Sequence, residues 1–233
     1  MLKGHSAARC YHGLAMNNVM GIGRLASRMG HSALNLLFPP KCAGCGKEGS
    51  YLCDVCIAES PKAPDIPAEG LESIIAPFQM VGAVREVVHR LKYSGRRVMA
   101  EPMGVAMGQH LKRHQISPDI IVPVPLHRKR LRERGYNQAG LLAREVGKWL
   151  EVPVHDKGLV RTNYLGPQAR TATREERKAN VEGAFVAERD FSGLSVVLVD
   201  DVTTTGSTLE ACAAALREAG AGAVWGLTFA REI

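Results

Sequence analysis

The chain has 233 residues, 45% of them hydrophobic and 23% charged, the make-up of a globular protein with one sizeable core and a small appendage. No run of about 18 apolar residues occurs, which excludes a membrane-spanning helix. The net charge is +7, yet residues 1–47 hold Lys3, Arg9, Arg24, Arg28, Lys41 and Lys47 and no acid, so the rest of the chain is nearly neutral and basicity alone argues little for nucleic-acid binding.

Residues 1–35 are basic, free of acids and rich in small residues, a composition shared with transit peptides. They read as a poorly ordered extension, or as an amphipathic helix from about Val19 to Leu37 packing on the body. Residues 36–60 form a cysteine module. Cys42, Cys45, Cys53 and Cys56 make two C-x-x-C pairs, whereas Cys10 and Cys212 stand alone. A disulfide scaffold would spread its cysteines along the chain. Two knuckles of this spacing point to a tetrahedral structural Zn²⁺ in a reducing, cytoplasmic setting, with Gly44 and Gly46 permitting the first knuckle's turns. Redox use of one pair is the alternative. A module this small needs the metal to be ordered.

Residues 61–70, with Pro61, Pro64 and Pro67, read as a semi-rigid linker, and 71–233 as the main domain. Ile74–Ala76 and Phe78–Val81 look like short strands. Val84, Val87, Val88 and Leu91 fall at i, i+3, i+4 and i+7 of an amphipathic helix. A second helix is predicted over 98–114, with Pro102 in its first turn. His110 and His114 lie four apart on it, without a third metal ligand in the sequence nearby. Asp119–Val124 is a strand apolar enough to be buried on both faces. Ala139, Leu142, Val146 and Leu150 mark a helix capped by Asn137. Val196–Val199 is another apolar strand, Thr208–Ala219 a helix stopped by Gly220, and Ala223–Phe229 the strand that follows. This alternation predicts an α/β fold with a parallel sheet. Cys212 falls on the apolar side of its helix and reads as core.

The strongest signal is the string from Val196 to Leu209, in which a buried strand ends in Asp200-Asp201 and passes through Val202-Thr-Thr-Thr-Gly-Ser-Thr208 into a helix. In parallel sheets ligands bind beyond the C-terminal strand ends, and the next helix aims unpaired N–H groups there, which favours an anion. Gly206 lets the backbone approach closely, and Thr204, Thr205, Ser207 and Thr208 add hydroxyl donors. Two carboxylates suit a diol. Together they describe a ribose phosphate. The bland alternative is Asp and Thr residues that merely cap the helix. After the Asp119–Val124 strand, residues 127–134 carry five Lys or Arg in eight positions. Arg128, Arg130, Arg132 and Arg134 are candidates for a pyrophosphate, since Arg binds one bidentately, and Lys92, Arg96 and Arg97 could add charge from the preceding helix end. A solvated basic loop is the plain alternative. Tyr93 and Tyr136 beside the arginines also offer stacking surfaces for single-stranded DNA.

The Asp-Asp and Thr-Gly-x-Thr string resembles the signature of type I phosphoribosyltransferases. Leu37-Phe-Pro-Pro-Lys-Cys-x-x-Cys45, Leu91-Lys-Tyr-Ser-Gly-Arg96, Val122-Pro-Val-Pro-Leu126 and Arg134-Gly-Tyr-Asn-Gln138, in this order before the loop, resemble the competence protein F (ComF) family over about residues 36–231. Arg161, Gln168, Arg174, Arg177 and Asn180 fit the same pattern. Thr203 and Ser207 depart from the commoner aliphatic residue and Ala without removing a donor. The resemblance implies a type I phosphoribosyltransferase fold. It implies that Asp200 and Asp201 face the ribose hydroxyls, that Thr203, Thr204, Thr205, Gly206, Ser207 and Thr208 hold the 5-phosphate, and that Mg²⁺ accompanies the pyrophosphate of phosphoribosyl pyrophosphate. It further implies either a phosphoribosyltransferase acting on a nitrogen acceptor, or a non-catalytic accessory that binds single-stranded DNA for the DNA-uptake machinery of natural transformation.

Overall fold

A computed structural model describes residues 39–162 and 183–233. The extension 1–35, Cys10, Gln168, Arg174, Arg177 and Asn180 lie outside the described residues. From Lys41 onward the chain is one compact unit.

A short helix, α1 (Asp54–Glu59), completes the cysteine segment. The proline-rich stretch after it contains β1 (Ile66–Ala68), which pairs antiparallel with β2 (Leu71–Ile75). Two of the three prolines precede β1, and Pro67 sits on an edge strand, where a missing N–H is tolerated. β3 (Phe78–Gln79), α2 (Gly82–Tyr93), a 3₁₀ turn (Arg97–Met99) and α3 (Ala100–Arg113) follow. Then come β4 (Ile120–Pro123), α4 (Arg128–Arg134), α5 (Gln138–Leu150), and the two-stranded pair β5 (Leu159–Arg161) and β6 (Phe185–Ala187). β7 (Ser195–Thr203), α6 (Ser207–Glu218) and β8 (Ala223–Arg231) end the fold.

The main sheet runs β1-β2-β8-β7-β4, with β3 also on β8, and every pairing except β1–β2 is parallel. Helices cover both faces. On one side Val197, Val199, Leu227 and Phe229 pack with apolar residues of α2, α3 and α5. On the other Val196, Leu198 and Val224 pack with Leu209, Cys212 and Leu216 of α6. This layering is why the central strands read as unbroken apolar runs. Cys212 is fully buried there, as expected of core. The cysteine segment joins the first layer, because Cys42, Ala43 and Leu52 share a cluster with Val84 and Val88 of α2. A Cβ on Gly44 would stand 2.5 Å from that of Ala83 and 2.9 Å from the Cys56 sulfur, so glycine is required by close approach. Gly46 takes a left-handed turn at φ +76°.

Most predicted elements appear within two or three residues of their expected limits. Asn137 caps α5, its side-chain oxygen accepting from the N–H of Ala139 at 3.1 Å. Two differences concern the site. β7 continues past Val199 to Thr203, because β8 runs alongside it and pairs Asp200 with Thr228 and Thr203 with Arg231. The acidic pair therefore lies within a strand. The basic stretch is also not a loop. Arg128–Arg134 form α4, begun by the His127 ring accepting from the N–H of Lys129 and closed by Gly135 at φ +76°. With no buried residue in it, hydrophobic periodicity gave no sign of this helix.

Candidate functional site

The site lies where β4 and β7 end. Side chains alternate across a strand. Val196 and Leu198 face α6, so Asp200 points to that side, whereas Asp201 points with Val197 and Val199 toward α2. The adjacent acids thus enter different surroundings. Asp201 is buried, and its Oδ2 lies 2.8 Å from Lys92 Nζ at the end of α2. No other donor among the described residues reaches that oxygen, and the proximity makes the ammonium its partner. Burial works against the Lys92 cation, but the charge of Asp201 and its hydrogen bond outweigh this and raise the lysine above 10.5. Among the described residues no ammonium or guanidinium pairs with Asp200 in this way. Burial first, then the neighbouring Asp201 charge, push it well above the ordinary carboxylate value. Its Oδ1 accepts from the Asp201 N–H at 2.8 Å. The charged groups it feels include Lys92 and, on the other side, Arg161.

Beyond the acids, the chain turns through Thr203, Thr204, Thr205 and Gly206 into α6. Gly206 has φ +89°, a left-handed conformation that opens the first turn of α6 with no side chain of its own to cap it, and the Thr205 hydroxyl accepts weakly from the Ser207 N–H at 3.5 Å. A Cβ there would also meet Ile74 Cδ1 at 2.8 Å. The hydroxyls of Thr205 and Ser207 lie 2.9 Å apart above the helix start. Thr204 is exposed, Thr208 half-buried, and Thr203 and Ser207 are buried. First-turn N–H groups, hydroxyls and the helix N-terminus converge there, an arrangement that suits an anion.

The basic residues divide into three groups. Lys92, Arg130 and Arg134 line one depression of about 660 Å³ with Tyr93, Gly95, Glu133 and Tyr136. Arg128 instead lines a second, of about 700 Å³, with Arg97, Arg144, Arg161 and the apolar Leu126 and Leu159. Arg96 and Arg132 are exposed and line neither. Arg97, offered by the sequence beside Lys92 and Arg96, donates from its Nη2 to the Gly135 carbonyl at 3.3 Å, and its guanidinium covers the Tyr136 ring at 4.8 Å. The sequence reading missed the anchor between the two basic segments, the Tyr136 hydroxyl donating to the Leu91 carbonyl. Arg134 lies 5.6 Å over Tyr93 and donates to Gln138 Oε1 at 2.6 Å. The Tyr-Asn following Gly135 was the available signal, since Asn137 also donates to the Val124 carbonyl at 3.0 Å and ties α5 to the end of β4.

A separate constellation is formed by Cys42, Cys45, Cys53 and Cys56, whose sulfurs all lie within 4.8 Å of one another and could hold a metal ion. The donor set fits Zn²⁺. Burial opposes the Cys42 thiolate, but the N–H groups of Cys45, Cys53 and Gly44 turned toward it lower the thiol to about 6. Cys56, hydrogen-bonded to Cys53, is pushed up to about 12. Four thiols this close cannot all ionise without a cation among them, which a divalent metal supplies. Among the described residues no helix is long and apolar enough to cross a membrane.

Residues 106–228 match the phosphoribosyl transferase domain family. Competence protein F of Haemophilus influenzae is 32% identical over 201 residues, covering 81% of this chain and 84% of that protein. DNA utilization protein YhgH of Escherichia coli is 30% identical over 192 residues, covering 78% of this chain and 80% of that protein. Competence protein ComFC of Bacillus subtilis is 34% identical over 110 residues, covering 46% of this chain and 42% of that one. Among solved structures, the glutamine phosphoribosylpyrophosphate amidotransferase of B. subtilis is 22% identical with a TM-score of 0.40, over 60% of this chain and 30% of that one.

Proposed function

We propose that this chain, which belongs to the competence protein F family and carries its phosphoribosyl transferase domain, binds phosphoribosyl pyrophosphate and passes the phosphoribosyl group to a nitrogen acceptor. The observation that carries the reading is the start of α6 on a glycine N-cap, Gly206, in the turn that follows the Asp200–Asp201 pair. The 5-phosphate rests on the N–H groups and hydroxyls of residues 203–208. Asp200 accepts from the ribose hydroxyls. The Asp200 carboxylate, which burial and the Asp201 charge hold well above the ordinary value, also fits a nearby divalent cation, and Mg²⁺ held by the pyrophosphate would supply charge neutralisation there. Lys92, Arg130 and Arg134 face the pyrophosphate from one side and Arg128 from the other, stabilising negative charge as it leaves. Zn²⁺ on the four cysteines is structural in this reading, and the reduced thiols suit a cytoplasmic location.

The test is calorimetric titration of the zinc-loaded full chain with phosphoribosyl pyrophosphate and Mg²⁺, beside the Asp200→Asn, Asp201→Asn double variant. Binding weakened about 100-fold in the variant, roughly 2.7 kcal/mol, is expected. A folded wild type that does not bind overturns the reading.

One observation favours a second reading, in which the same surface binds single-stranded DNA for a DNA-uptake machinery. Tyr93 is 63% exposed with Arg134 over its ring and Arg130 nearby, a stacking platform flanked by cations. Two relatives carry names that refer to DNA utilization and competence. Here neutralising Arg130 and Arg134 would weaken DNA binding and flatten its salt dependence.

A further inference from the structure

The last turn of α3 carries His110, half-buried, and His114, its exposed C-terminal cap. They are the i, i+4 pair for which the sequence offered no third ligand. The fold brings one from 45 residues upstream. Asp65, just before β1, lies with its Oδ2 3.7 Å from His114 Nδ1. That is too long for a hydrogen bond, so the carboxylate is close to the imidazole without being committed to it. The three residues each offer a ligand atom, and these atoms all lie within 4.8 Å of one another.

The geometry between the rings is specific. The Nε2 atoms of His110 and His114 are 3.2 Å apart. Two nitrogens bound to one tetrahedral ion at about 2.0–2.1 Å stand roughly 3.3 Å apart. The spacing fits two ligands of a common ion, which would replace the hydrogen bond the two nitrogens share without one. Asp65 is also held in place by its neighbours. Arg231 Nη1 donates to the Pro64 carbonyl at 3.1 Å, and the Gln79 side chain donates to the Lys62 carbonyl at 3.0 Å. Asp65 stands on the Nδ1 side of His114, so a shared ion on the two Nε2 atoms requires the exposed Asp65 side chain to rotate toward them. Lys62 and Arg113 are the cations within electrostatic reach of His110. Lys62 is engaged elsewhere, its ammonium donating to the Ile57 carbonyl at 3.2 Å and lying 4.5 Å over the Phe78 ring.

We propose that Asp65, His110 and His114 form a second metal site, distinct from the cysteine cluster, which takes a first-row divalent ion such as Zn²⁺. Two imidazoles and one carboxylate form a borderline donor set, suited to Zn²⁺, Ni²⁺ or Cu²⁺ and not to Mg²⁺ or Ca²⁺. With three protein ligands the ion keeps an open position toward solvent, unlike the closed Cys₄ set. Bound there, it would pin the segment leading into β1 to the end of α3. The site stands independently of the phosphoribosyl reading, because it uses none of the same residues.

The experiment titrates Zn²⁺ into full-length, untagged protein already carrying one equivalent, by calorimetry. A second, weaker equivalent is expected in wild type. It should weaken at least tenfold in the His110→Ala, His114→Ala double variant and severalfold in Asp65→Asn, with the first equivalent and the far-ultraviolet dichroism unchanged. Wild type that stops at one equivalent overturns the proposal. So does a second equivalent of unchanged affinity in the double variant, which would place the ion elsewhere, for instance on His5, His12 or His31. Should the double variant fold poorly, His114→Gln and Asp65→Asn decide by the same criterion.

Discussion

The cysteine cluster and the β7–α6 site assemble their chemistry in opposite ways. All four thiols come from 15 consecutive residues, Cys42 to Cys56, and converge through two local turns. The ribose-phosphate candidates come from β7, α2 and α4, three elements whose segments are far apart in sequence and meet only through the sheet. A local site can lose its metal and its order together while the sheet domain survives. An assembled site fails one contact at a time, each with its own energy.

The largest expected effect breaks the local side of this comparison. Removing the proposed zinc with a strong chelator, or replacing Cys42 by Ser, should release the cysteine segment from α2 and uncover Ala43, Leu52 and Val84. Structural zinc in small modules contributes on the order of 10 kcal/mol of local order. Hydrogen exchange should show residues 41–59 losing protection while β7 and β8 keep theirs. Global loss of protection would mean that the cysteine segment and the sheet domain are one cooperative unit.

A smaller effect tests the assembled side. Lys92→Met leaves the Asp201 carboxylate buried without its counter-ion, and removing one partner of a buried pair costs about 3–5 kcal/mol. Lys92 is half-buried, so the lower end is expected in urea unfolding at pH 7. Lys92→Met with Asp201→Asn should recover most of the loss. The pH dependence has a definite sign. Because the folded lysine titrates above 10.5, its contribution is fully present below that value and fades as pH rises through the folded value. The double variant should therefore lack this part of wild type's alkaline decline. Equal stability of Lys92→Met and wild type would show that Asp201 is solvated in solution.

The smallest effect sharpens the comparison at the junction of strand and helix. Gly206→Ala forces a Cβ into a left-handed conformation, at roughly 1–2 kcal/mol, while Ile74 Cδ1 can swing aside. Thermal unfolding should shift by only a few degrees. Phosphoribosyl pyrophosphate binding, if it uses the N–H groups opened by this residue, should fall much further than stability.

The chain's own pattern determined most of the architecture. Apolar runs at 120–124 and 196–199 and the periodic helix at 84–91 specify a parallel sheet covered on both faces, because only burial on both sides makes such runs favourable. The four-cysteine set and the Asp200–Thr208 string were equally legible, since ligand spacing and a glycine before a helix are local properties. Tertiary structure decided what locality cannot encode. Strand alternation sends Asp200 and Asp201 to opposite faces, and it was the packing of α2 that paired only Asp201 with a lysine. The exposed α4 had no apolar stripe to announce it, and its fold separated Arg128 from Arg130 and Arg134. Arg97 rather than Arg96 engages the turn after α4, because the Gly135 carbonyl and the Tyr136 ring stand on its side. Asp65 reached His110 and His114 only because β1 joins the sheet beside the end of α3. Contacts across tens of residues depend on the summed geometry of the sheet, and no window of sequence contains that sum.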